Sequence, residues 1–412
     1  MPTEVQTQRH LATDVHAGAG QSSPPIGVTL LTGGQDPHYA LGLARALMSQ
    51  GVALDVIGGD ESDQPILKES SRTQFFNLHG SQSGGSRTAR IGRILAFYVR
   101  LLRYTLSARP RVFHILWNNK LQLVDRTLLM AFYRLLGKKV VLTAHNVNAG
   151  KRDGSDSWLN RLTLRLQYGL TSNIFVHTKK MKDELVNEFG VVADKVIIIP
   201  YGVNDVIPFT SLTPEEARQQ LGVRESEKVL LYFGAIKSYK GLEYLVKAFQ
   251  QIASEDNYRL IIAGERKKGQ EVYWDAIQQS IESHPSRSKI LQSIKFIPDA
   301  EAEAYFKAAD VAVLPYTDIF QSGILFVAYN YGTPVIATDV GSFAEDIVIG
   351  STGFICAPRD ANDLAKTIRR YFDSELYRNL ALRRQEIRDS VLSEHSWETV
   401  AVMTRDVYSR LA

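Results

Sequence analysis

Short apolar runs alternate with amphipathic stretches along most of the chain. The first apolar run, Ile26–Leu31, is followed by a glycine turn and then by helical periodicity over Tyr39–Gln50. Gly51 ends this helix, and a second apolar run covers Val52–Ile57. A strand, a loop, a helix and another strand in this order are typical of a parallel, doubly wound sheet. Further strands of this series are predicted at Val112–Leu116, Lys139–Thr143 and Asn173–His177.

A second series of the same kind begins near Val229. Its strands are predicted at Val229–Phe233, Arg259–Ala263, Ile294–Ile297, Val311–Leu314 and Pro334–Thr338. Its helices are predicted at Gly241–Ile252, Ala300–Ala309, Leu325–Asn330 and Asp360–Phe372. The 412 residues are enough for two such units. We therefore predict an α/β protein of two Rossmann-like domains that face each other across a cleft.

The boundaries of these domains follow from composition. Residues 1–25 are polar and without periodicity, which predicts a disordered tail. Residues 200–208 are punctuated by proline and glycine between the two series, which indicates a linker. We expect an N-terminal domain over residues 26–205 and a C-terminal domain over residues 206–390. Residues 391–412 are expected to form a helix that packs back on the N-terminal domain.

Composition narrows the class of protein. Apolar residues make up 44% of the chain and charged residues 22%, as in soluble globular proteins. The single cysteine, Cys356, excludes a disulfide within the chain. No apolar run approaches the roughly 18 to 20 residues of a membrane-spanning helix, and the first 25 residues lack the apolar core of a signal peptide. A cytoplasmic protein is expected.

Charge is distributed unevenly along the chain. Residues 1–210 carry 24 Lys and Arg against 16 Asp and Glu, whereas the remainder carries 24 against 28. The stretch from Arg87 to Arg152 contains fourteen basic residues and one acidic residue, Asp125. Such a block indicates an anionic partner or, alternatively, a basic face that is simply solvated. Because no RNA-binding motif with interleaved aromatic residues accompanies it, a nucleic-acid partner is not expected.

The start of this block predicts a basic, amphipathic helix. Its basic residues include Arg90, Arg93, Arg100 and Arg103, and apolar residues lie between them. This pattern suits an anionic membrane surface, to which the protein would attach peripherally on the inner face. An ordinary helix whose apolar stripe packs on the sheet is the alternative. Both interpretations hold together if only the arginines face lipid phosphates.

Two loops of the second series carry the features of a phosphate site. A predicted strand ends at Gly234 and a helix begins near Gly241, with Lys237 and Lys240 between them. Backbone N–H groups at a helix N-terminus attract anions, and lysines add charge-assisted hydrogen bonds. The turn Gln321–Gly323 opens another helix with small residues that allow a ligand to approach closely. Both loops follow strands of one sheet, so they predict a diphosphate cleft at its edge.

Other kinds of chemistry find no support in the sequence. The nine histidines lack the paired spacing of metal ligands, and there is no C-x-x-C or H-E-x-x-H, so no metal is expected. No G-x-S-x-G motif suggests a serine hydrolase, and no G-x-G-x-x-G follows a strand as in dehydrogenases.

Several motifs in order resemble glycosyltransferase family four, which has the GT-B fold. They are SYKGL, LIIAGE, QSG and YGTPVIATDVG in the second half, and TAHNVNAGKRD and VIIIPYGVN in the first. The resemblance covers residues 26–408 and is greatest to a bacterial branch with Tyr-Lys-Gly and Gln-Ser-Gly motifs. It implies that the C-terminal domain binds a nucleoside-diphosphate sugar and the N-terminal domain the acceptor, a glycan or polyprenyl-linked molecule. It also implies a metal-independent hexosyltransferase that retains the anomeric configuration, needs no cofactor and serves polysaccharide or glycoconjugate synthesis.

The resemblance also implies roles for individual residues. Lys240 contacts the donor diphosphate and His145 the transferred sugar, and these two are the predicted catalytic residues. Ala235 stands where the family usually has an arginine, and Lys237 is expected to supply that charge. The remaining predicted donor-site residues are Gly33, Gly34, Gly234, Gln321, Ser322, Gly323 and Ile324, with Ile297 and Pro298 at the base. Three further residues, His114, Trp117 and His177, are interpreted as structural.

One departure from the family pattern concerns the sugar and the ribose. The family commonly has two glutamates eight positions apart, and the corresponding positions here are Ile319 and Val327. Neither side chain accepts a hydrogen bond from a hydroxyl. Either Gln321 and Ser322 take over these contacts or the donor binds differently. The alternative function is a catalytically silent GT-B protein that binds a nucleotide sugar or a glycan.

Overall fold

The computed structural model describes residues 26–80, 86–152, 154–203 and 209–412. The tail predicted over residues 1–25 lies outside this range. So do residues 81–85 and the domain boundary predicted at residues 205–206.

The N-terminal half forms a parallel sheet of seven strands. Its order is β3-β2-β1-β4-β5-β6-β7. The strands are β1 Gly27–Leu31, β2 Ala53–Gly58, β3 Thr73–Asn77, β4 Val112–Ile115, β5 Lys139–Thr143, β6 Asn173–Val176 and β7 Val196–Ile198. The inner strands are almost wholly buried because apolar cores cover both faces of the sheet, which explains their continuous apolar sequences.

The second half forms a parallel sheet of six strands in the order β10-β9-β8-β11-β12-β13. The strands are β8 Lys228–Phe233, β9 Tyr258–Ala263, β10 Ile290–Ser293, β11 Val311–Leu314, β12 Val335–Thr338 and β13 Gly353–Cys356. In each sheet the strand order reverses once, between β1 and β4 and between β8 and β11. Ligands bind beyond the carboxyl ends of the strands at such points. The predicted architecture of two Rossmann-like domains is confirmed.

Helices flank both sheets. In the first half they are α1 Pro37–Ser49, α2 Arg87–Ser107, α3 Gln122–Val124, α4 Met130–Leu135, α5 Ala149–Arg152, α6 Trp158–Leu170 and α7 Lys179–Phe189. A π-helical segment, Asp125–Leu129, joins α3 to α4. In the second half they are α8 Pro214–Gln220, α9 Leu242–Ile252, α10 Glu271–Glu282, α11 Asp299–Ala308, α12 Gly323–Asn330, α13 Phe343–Asp346, α14 Ala361–Phe372, α15 Glu375–Arg378, α16 Leu380–Glu394 and α17 Trp397–Leu411.

One predicted strand is wrong. The strand expected at Ile294–Ile297 lies four residues earlier, at Ile290–Ser293, where Ile290 is in register with Leu260 of β9. Apolar residues occur on both sides of Ser293, so periodicity alone does not fix the register. Ile297 is buried in the core of the C-terminal half, immediately before α11.

The last helix, α17, packs against α1 of the N-terminal half. Trp397, its first residue, covers two glycines, Gly42 and Gly202. A Cβ atom would lie 2.2 Å from the indole at Gly42 and 2.5 Å from it at Gly202. The boundary predicted at residue 390 falls inside α16, and the chain turns between α16 and α17.

Candidate active site

Two adjoining cavities lie between the sheets. The larger, of about 360 Å³, is lined by both halves of the chain. The smaller, of about 200 Å³, includes His145 of the N-terminal half. Four residues line both cavities, namely Asp36, Tyr201, Gln321 and Gly323. The cavities therefore form one continuous cleft with a large and a small compartment.

Lys240 lines the larger cavity because the chain makes a sharp turn after β8. A short 3₁₀ turn, Ser238–Lys240, leads into Gly241, which has a φ of 64°. A Cβ atom on Gly241 would lie 1.9 Å from the carbonyl oxygen of Pro315, so only glycine fits there. Lys240 is 9% exposed, and its Nζ lies 5.2 Å from the ring centre of Tyr316.

The Lys240 ammonium has no carboxylate partner among the described residues. A buried charge without a partner is unfavourable, and a bound anion relieves that penalty. The larger cavity is thus electrostatically suited to a negatively charged ligand.

The N-terminus of α12 adds hydrogen-bond donors to the same cavity. The helix begins at Gly323, and the side chain of Ser322 does not cap it. The first N–H groups of a helix have no partner within the helix. At Gly323 the nearest atom to an added Cβ is the Tyr201 hydroxyl at 3.5 Å, so a ligand can approach the backbone. The side-chain nitrogen and oxygen of Gln321 are both buried and make no hydrogen bond of normal geometry, although the amide lies beside the Asp346 carboxyl and lowers its pKa.

His145 lines the smaller cavity and belongs to a chain of hydrogen bonds. Its ring stacks on Trp117 with centres 4.2 Å apart, and its Nδ1 lies 3.1 Å from Nε2 of His177. Nδ1 of His177 lies 3.3 Å from the carbonyl oxygen of Ile199. Burial lowers the pKa of His177 to about 4 and holds the pKa of His145 well below its usual value, so both rings are neutral near pH 7.

The tautomers follow from these contacts. A carbonyl oxygen only accepts, so His177 carries its proton on Nδ1 and presents Nε2 as an acceptor. His145 must then donate from Nδ1, which leaves its Nε2 as an acceptor. That Nε2 is buried and without a partner. His145 is therefore prepared to accept a hydrogen bond from a ligand hydroxyl.

The structure brings together six of the twelve predicted site residues. Lys240, Gln321, Ser322, Gly323 and Ile324 line the larger cavity, and the smaller one joins His145 to Gln321 and Gly323. A Cβ atom on Gly234 would lie 3.1 Å from Nζ of Lys240, so this glycine allows the lysine to lie against the backbone.

Six predicted residues, Gly234 and five others, are not among those that line the two cavities. Lys237 precedes the 3₁₀ turn, with Nζ 5.7 Å from the ring centre of Tyr239. Gly33 and Gly34 have left-handed φ values of 62° and 66°, and Gly33 packs against the backbone of Trp117. Ile297 is buried and Pro298 caps α11, while the next residue, Asp299, does line the larger cavity.

The two positions that depart from the family pattern do line the cleft. Ile319 and Val327 line the larger cavity beside Gln321 and Ser322. The cavity therefore has an apolar surface where the family commonly has carboxylates.

Sequence reasoning missed several residues of the cleft. Asp36 and Tyr201 line both compartments, and Trp397 lines the larger one. Asp36 caps α1 by accepting a hydrogen bond from Tyr39 N at 3.0 Å, and its pairing with Pro37 is a recognisable start signal for a helix. The structural interpretation of Trp117 was incomplete, because its half-buried ring lines the smaller compartment.

Direct contacts cross the cleft. His38 pairs with Asp299 at 3.1 Å. The Glu345 carboxylate accepts hydrogen bonds from the backbone N–H groups of Lys179, at 3.1 Å, and Lys180, at 3.3 Å. These N–H groups open α7, so the carboxylate also interacts favourably with the helix dipole.

Within the described ranges, no group of three or more His, Cys, Asp or Glu side chains is placed to hold a metal ion. Among the same residues, no helix is both long and apolar enough to cross a bilayer.

Comparison with known proteins yields matches in both halves. The family model of glycosyl transferases group 1 matches residues 214–387, and that of glycosyltransferase family 4 matches residues 37–206. An uncharacterised glycosyltransferase of Methanocaldococcus jannaschii is 26% identical over 65% of this chain and 68% of its own. A D-inositol 3-phosphate glycosyltransferase of Corynebacterium glutamicum is 24% identical over 90% of both chains.

Solved structures show the same fold. Sucrose-phosphate synthase from Thermosynechococcus elongatus superposes with a TM-score of 0.74 at 20% identity, covering 93% of this chain and 98% of that one. Anabaena HepE in complex with UDP-glucose gives 0.71 at 16% identity, covering 93% and 99%. The two family models, the fold and the cleft agree, and the chain belongs to glycosyltransferase family four, with the GT-B fold.

Proposed function

We propose that the protein is a hexosyltransferase that moves a sugar from a nucleoside-diphosphate sugar to a hydroxyl of a glycan or lipid-linked acceptor. The observation that carries this proposal is the buried Lys240 ammonium, which faces the larger cavity without a carboxylate partner among the described residues. A diphosphate supplies the missing negative charge. Support comes from the structurally similar Anabaena HepE, which was solved with UDP and with UDP-glucose.

Catalysis in this proposal depends on charge stabilisation. When the bond between sugar and diphosphate breaks, negative charge accumulates on the leaving diphosphate. Lys240 and the N–H groups at the start of α12 stabilise that charge, and Lys237 adds a second cation nearby. Because the chain's own groups supply this stabilisation, we propose that the reaction is independent of a metal ion. Retention at the anomeric carbon is proposed from the resemblance to family four.

The neutral side chains of the cleft would position the sugar. Nε2 of His145 accepts a hydrogen bond from a sugar hydroxyl, and the amide of Gln321 both donates and accepts. Asp36 uses one carboxylate oxygen to cap α1, which leaves the other for a hydroxyl of the donor or acceptor. These three polar groups would replace the contacts that Ile319 and Val327 cannot make.

A catalytically silent nucleotide-sugar or glycan-binding protein is the second candidate. It is favoured by one observation, namely that apolar Ile319 and Val327 line the cavity where carboxylates are common in the family. In that case the cleft would bind a donor without breaking its glycosidic bond.

The test combines binding and turnover. Thermal unfolding is measured with UDP-, GDP- and ADP-sugars, and nucleotide release is followed with each donor in the presence of glycan and lipid-linked acceptors. A donor at about 100 times its Kd should stabilise the protein by about 2.7 kcal/mol. We expect one nucleotide class to bind and to be released. Binding without release would favour the silent protein. No nucleotide binding would contradict the hexosyltransferase and the nucleotide-sugar-binding form of the silent protein, and would leave only its glycan-binding form.

The proposed setting is polysaccharide or glycoconjugate synthesis by a cytoplasmic enzyme at the inner face of the membrane. A lipid-linked acceptor presents its sugar at that surface, so peripheral attachment would bring the enzyme to its acceptor.

A further inference from the structure

The outer face of the N-terminal half exposes a concentration of large apolar side chains. Among the described residues, 23 large apolar side chains are exposed, and 14 of them lie between residues 91 and 166. They are Ile91, Leu95, Val99, Leu102, Leu106, Leu121, Leu123, Leu128, Leu135, Leu136, Trp158, Leu159, Leu162 and Leu166. Single exposed apolar residues are ordinary, but a cluster of this size marks an interaction surface.

These residues belong to one layer of helices. Tyr98 of α2 donates a hydrogen bond to Asp125 at 3.0 Å, and Arg126 donates one to Asn160 of α6 at 2.8 Å. The buried sides of α2, α4 and α6 share one hydrophobic core on the same face of the sheet. We call the outward side of α2, residues 122–135 and α6 the helical face.

The exposed apolar residues of α2 do not belong to the side of the helix that packs into the core. Its exposed apolar residues recur at intervals of three and four, from Ile91 to Leu106, and so form one stripe. A different side of the helix, with Phe97, Leu101 and Tyr104, packs into the core. A helix that only covers the sheet needs one apolar side. The second apolar stripe therefore requires another explanation.

Charge identifies the partner. Arg90, Arg93 and Arg103 make no ion pair within the described part of the chain, and Arg90 and Arg103 are exposed. Asp125, the one acid in the sequence block from Arg87 to Arg152, is 3% exposed and hydrogen-bonded to Tyr98, so it does not neutralise the arginines of α2. A nucleic acid would leave the apolar stripe in water. A second copy of the chain would place like charges against each other across a two-fold axis.

The helical face also lies close to the cleft. In a parallel sheet, the helix that follows a strand begins at the strand's carboxyl end. α2 follows β3 and α6 follows β5, so the N-terminal ends of both helices lie at the edge of the sheet that borders the cleft. A partner bound to the helical face would therefore lie near the part of the cleft that the N-terminal half forms, where the acceptor is proposed to bind.

We propose that the helical face docks on an anionic phospholipid bilayer, with its leucines and Trp158 in the interface and its arginines at the phosphates. Apolar insertion and phosphate attraction together explain the two features of this surface. This inference deepens the proposed function, on which it rests for the lipid-linked class of acceptor.

The experiment is flotation of the full chain with vesicles of phosphatidylcholine alone or with about one third phosphatidylglycerol, at about 0.1 M salt. We expect binding to the anionic vesicles only. Arg90→Gln with Arg103→Gln should weaken partitioning by about 30-fold, since each arginine near an anionic surface contributes about 1 kcal/mol. Leu95→Ser with Leu106→Ser should weaken it by about 100-fold. The control, Val272→Ser, removes a residue that is 85% exposed in the other half and should change nothing.

Thermal midpoints and donor binding are measured on every variant without lipid, and we expect both to stay unchanged. Failure to bind anionic vesicles would overturn this inference, as would equal binding by the wild type and both double variants. Light scattering that shows dimers sensitive to Leu95→Ser, without vesicle binding, would assign the face to self-association instead. Donor turnover without vesicle binding would contradict this inference alone, whereas vesicle binding without any nucleotide binding would contradict the proposed function alone.

Discussion

The turn that holds Lys240 in the cleft can be tested by adding one methyl group to Gly241. Gly241 and Gly222 both have left-handed backbones, with φ values of 64° and 66°, and both lie in the C-terminal half. A Cβ atom at Gly222 meets nothing within 4 Å, whereas one at Gly241 would lie 1.9 Å from the Pro315 carbonyl oxygen. Alanine at Gly222 therefore measures the backbone strain alone, whereas alanine at Gly241 measures the same strain together with the steric conflict.

The expected free energies of unfolding differ accordingly. Gly222→Ala should lose about 1–2 kcal/mol, the strain of an L-residue in the left-handed region. Gly241→Ala should lose this amount and a further 1–3 kcal/mol, because the backbone must move away from Pro315. The same movement displaces Lys240, so donor affinity should fall in the Gly241 variant and not in the Gly222 variant.

Urea denaturation followed by circular dichroism measures the first effect, and titration with the best nucleotide sugar measures the second. Equal losses of stability in the two variants would show that the contact with Pro315 adds no cost at Gly241. Full donor affinity in Gly241→Ala would refute the link between this turn and the position of Lys240.

Three other predictions concern stability. Burial lowers the pKa of His114 to about 3, so between about pH 6.5 and 3 the unfolded chain binds a proton that the folded chain does not, and stability falls as pH falls. His114→Gln should therefore reduce the slope of unfolding free energy against pH by about 1.4 kcal/mol per pH unit, and an unchanged slope would contradict this. Gln321→Met should change the stability of the ligand-free protein by less than about 1.5 kcal/mol while donor affinity falls, because methionine fills a similar volume but lacks the amide; a larger loss of stability in urea melts would count against it. Gly42→Ala should displace Trp397, lower the free energy of unfolding by about 1–3 kcal/mol and expose α17 to proteolysis. The control Gly169→Ala, at a position with open space around it, should cause neither the loss of stability nor the proteolysis.

The fold was largely predictable because parallel strands are read from short apolar runs. Lys139–Thr143 and Val311–Leu314 were predicted with the bounds they have. The strand at Ile290–Ser293 was misplaced since apolar residues continue to Ile297, and only pairing with β9 decides between the two registers. The strands β3, β7 and β13 were not predicted.

The site was predictable where it is built from local motifs and not where it depends on distant contacts. Lys240 and Gln321–Gly323 follow strands of one sheet, so their convergence could be inferred from the sequence. Trp397 reaches the cavity from the last helix, and no local sequence pattern predicts that contact. The hydrogen-bond chain from Ile199 through His177 to His145 joins separate strand ends, and it gives His177, interpreted as structural, a part in orienting His145.

Lys240 is proposed to stabilise the charge on a departing diphosphate, and Lys240→Met removes that charge while keeping an unbranched side chain. We predict that kcat/KM for the bound nucleotide sugar falls by about 10²–10³, the usual effect of removing one preorganised donor. Thermal stability without ligand should be retained, and the exposed-site control Lys247→Met should match the wild type. Turnover close to wild type in a folded Lys240→Met protein would contradict this role of Lys240.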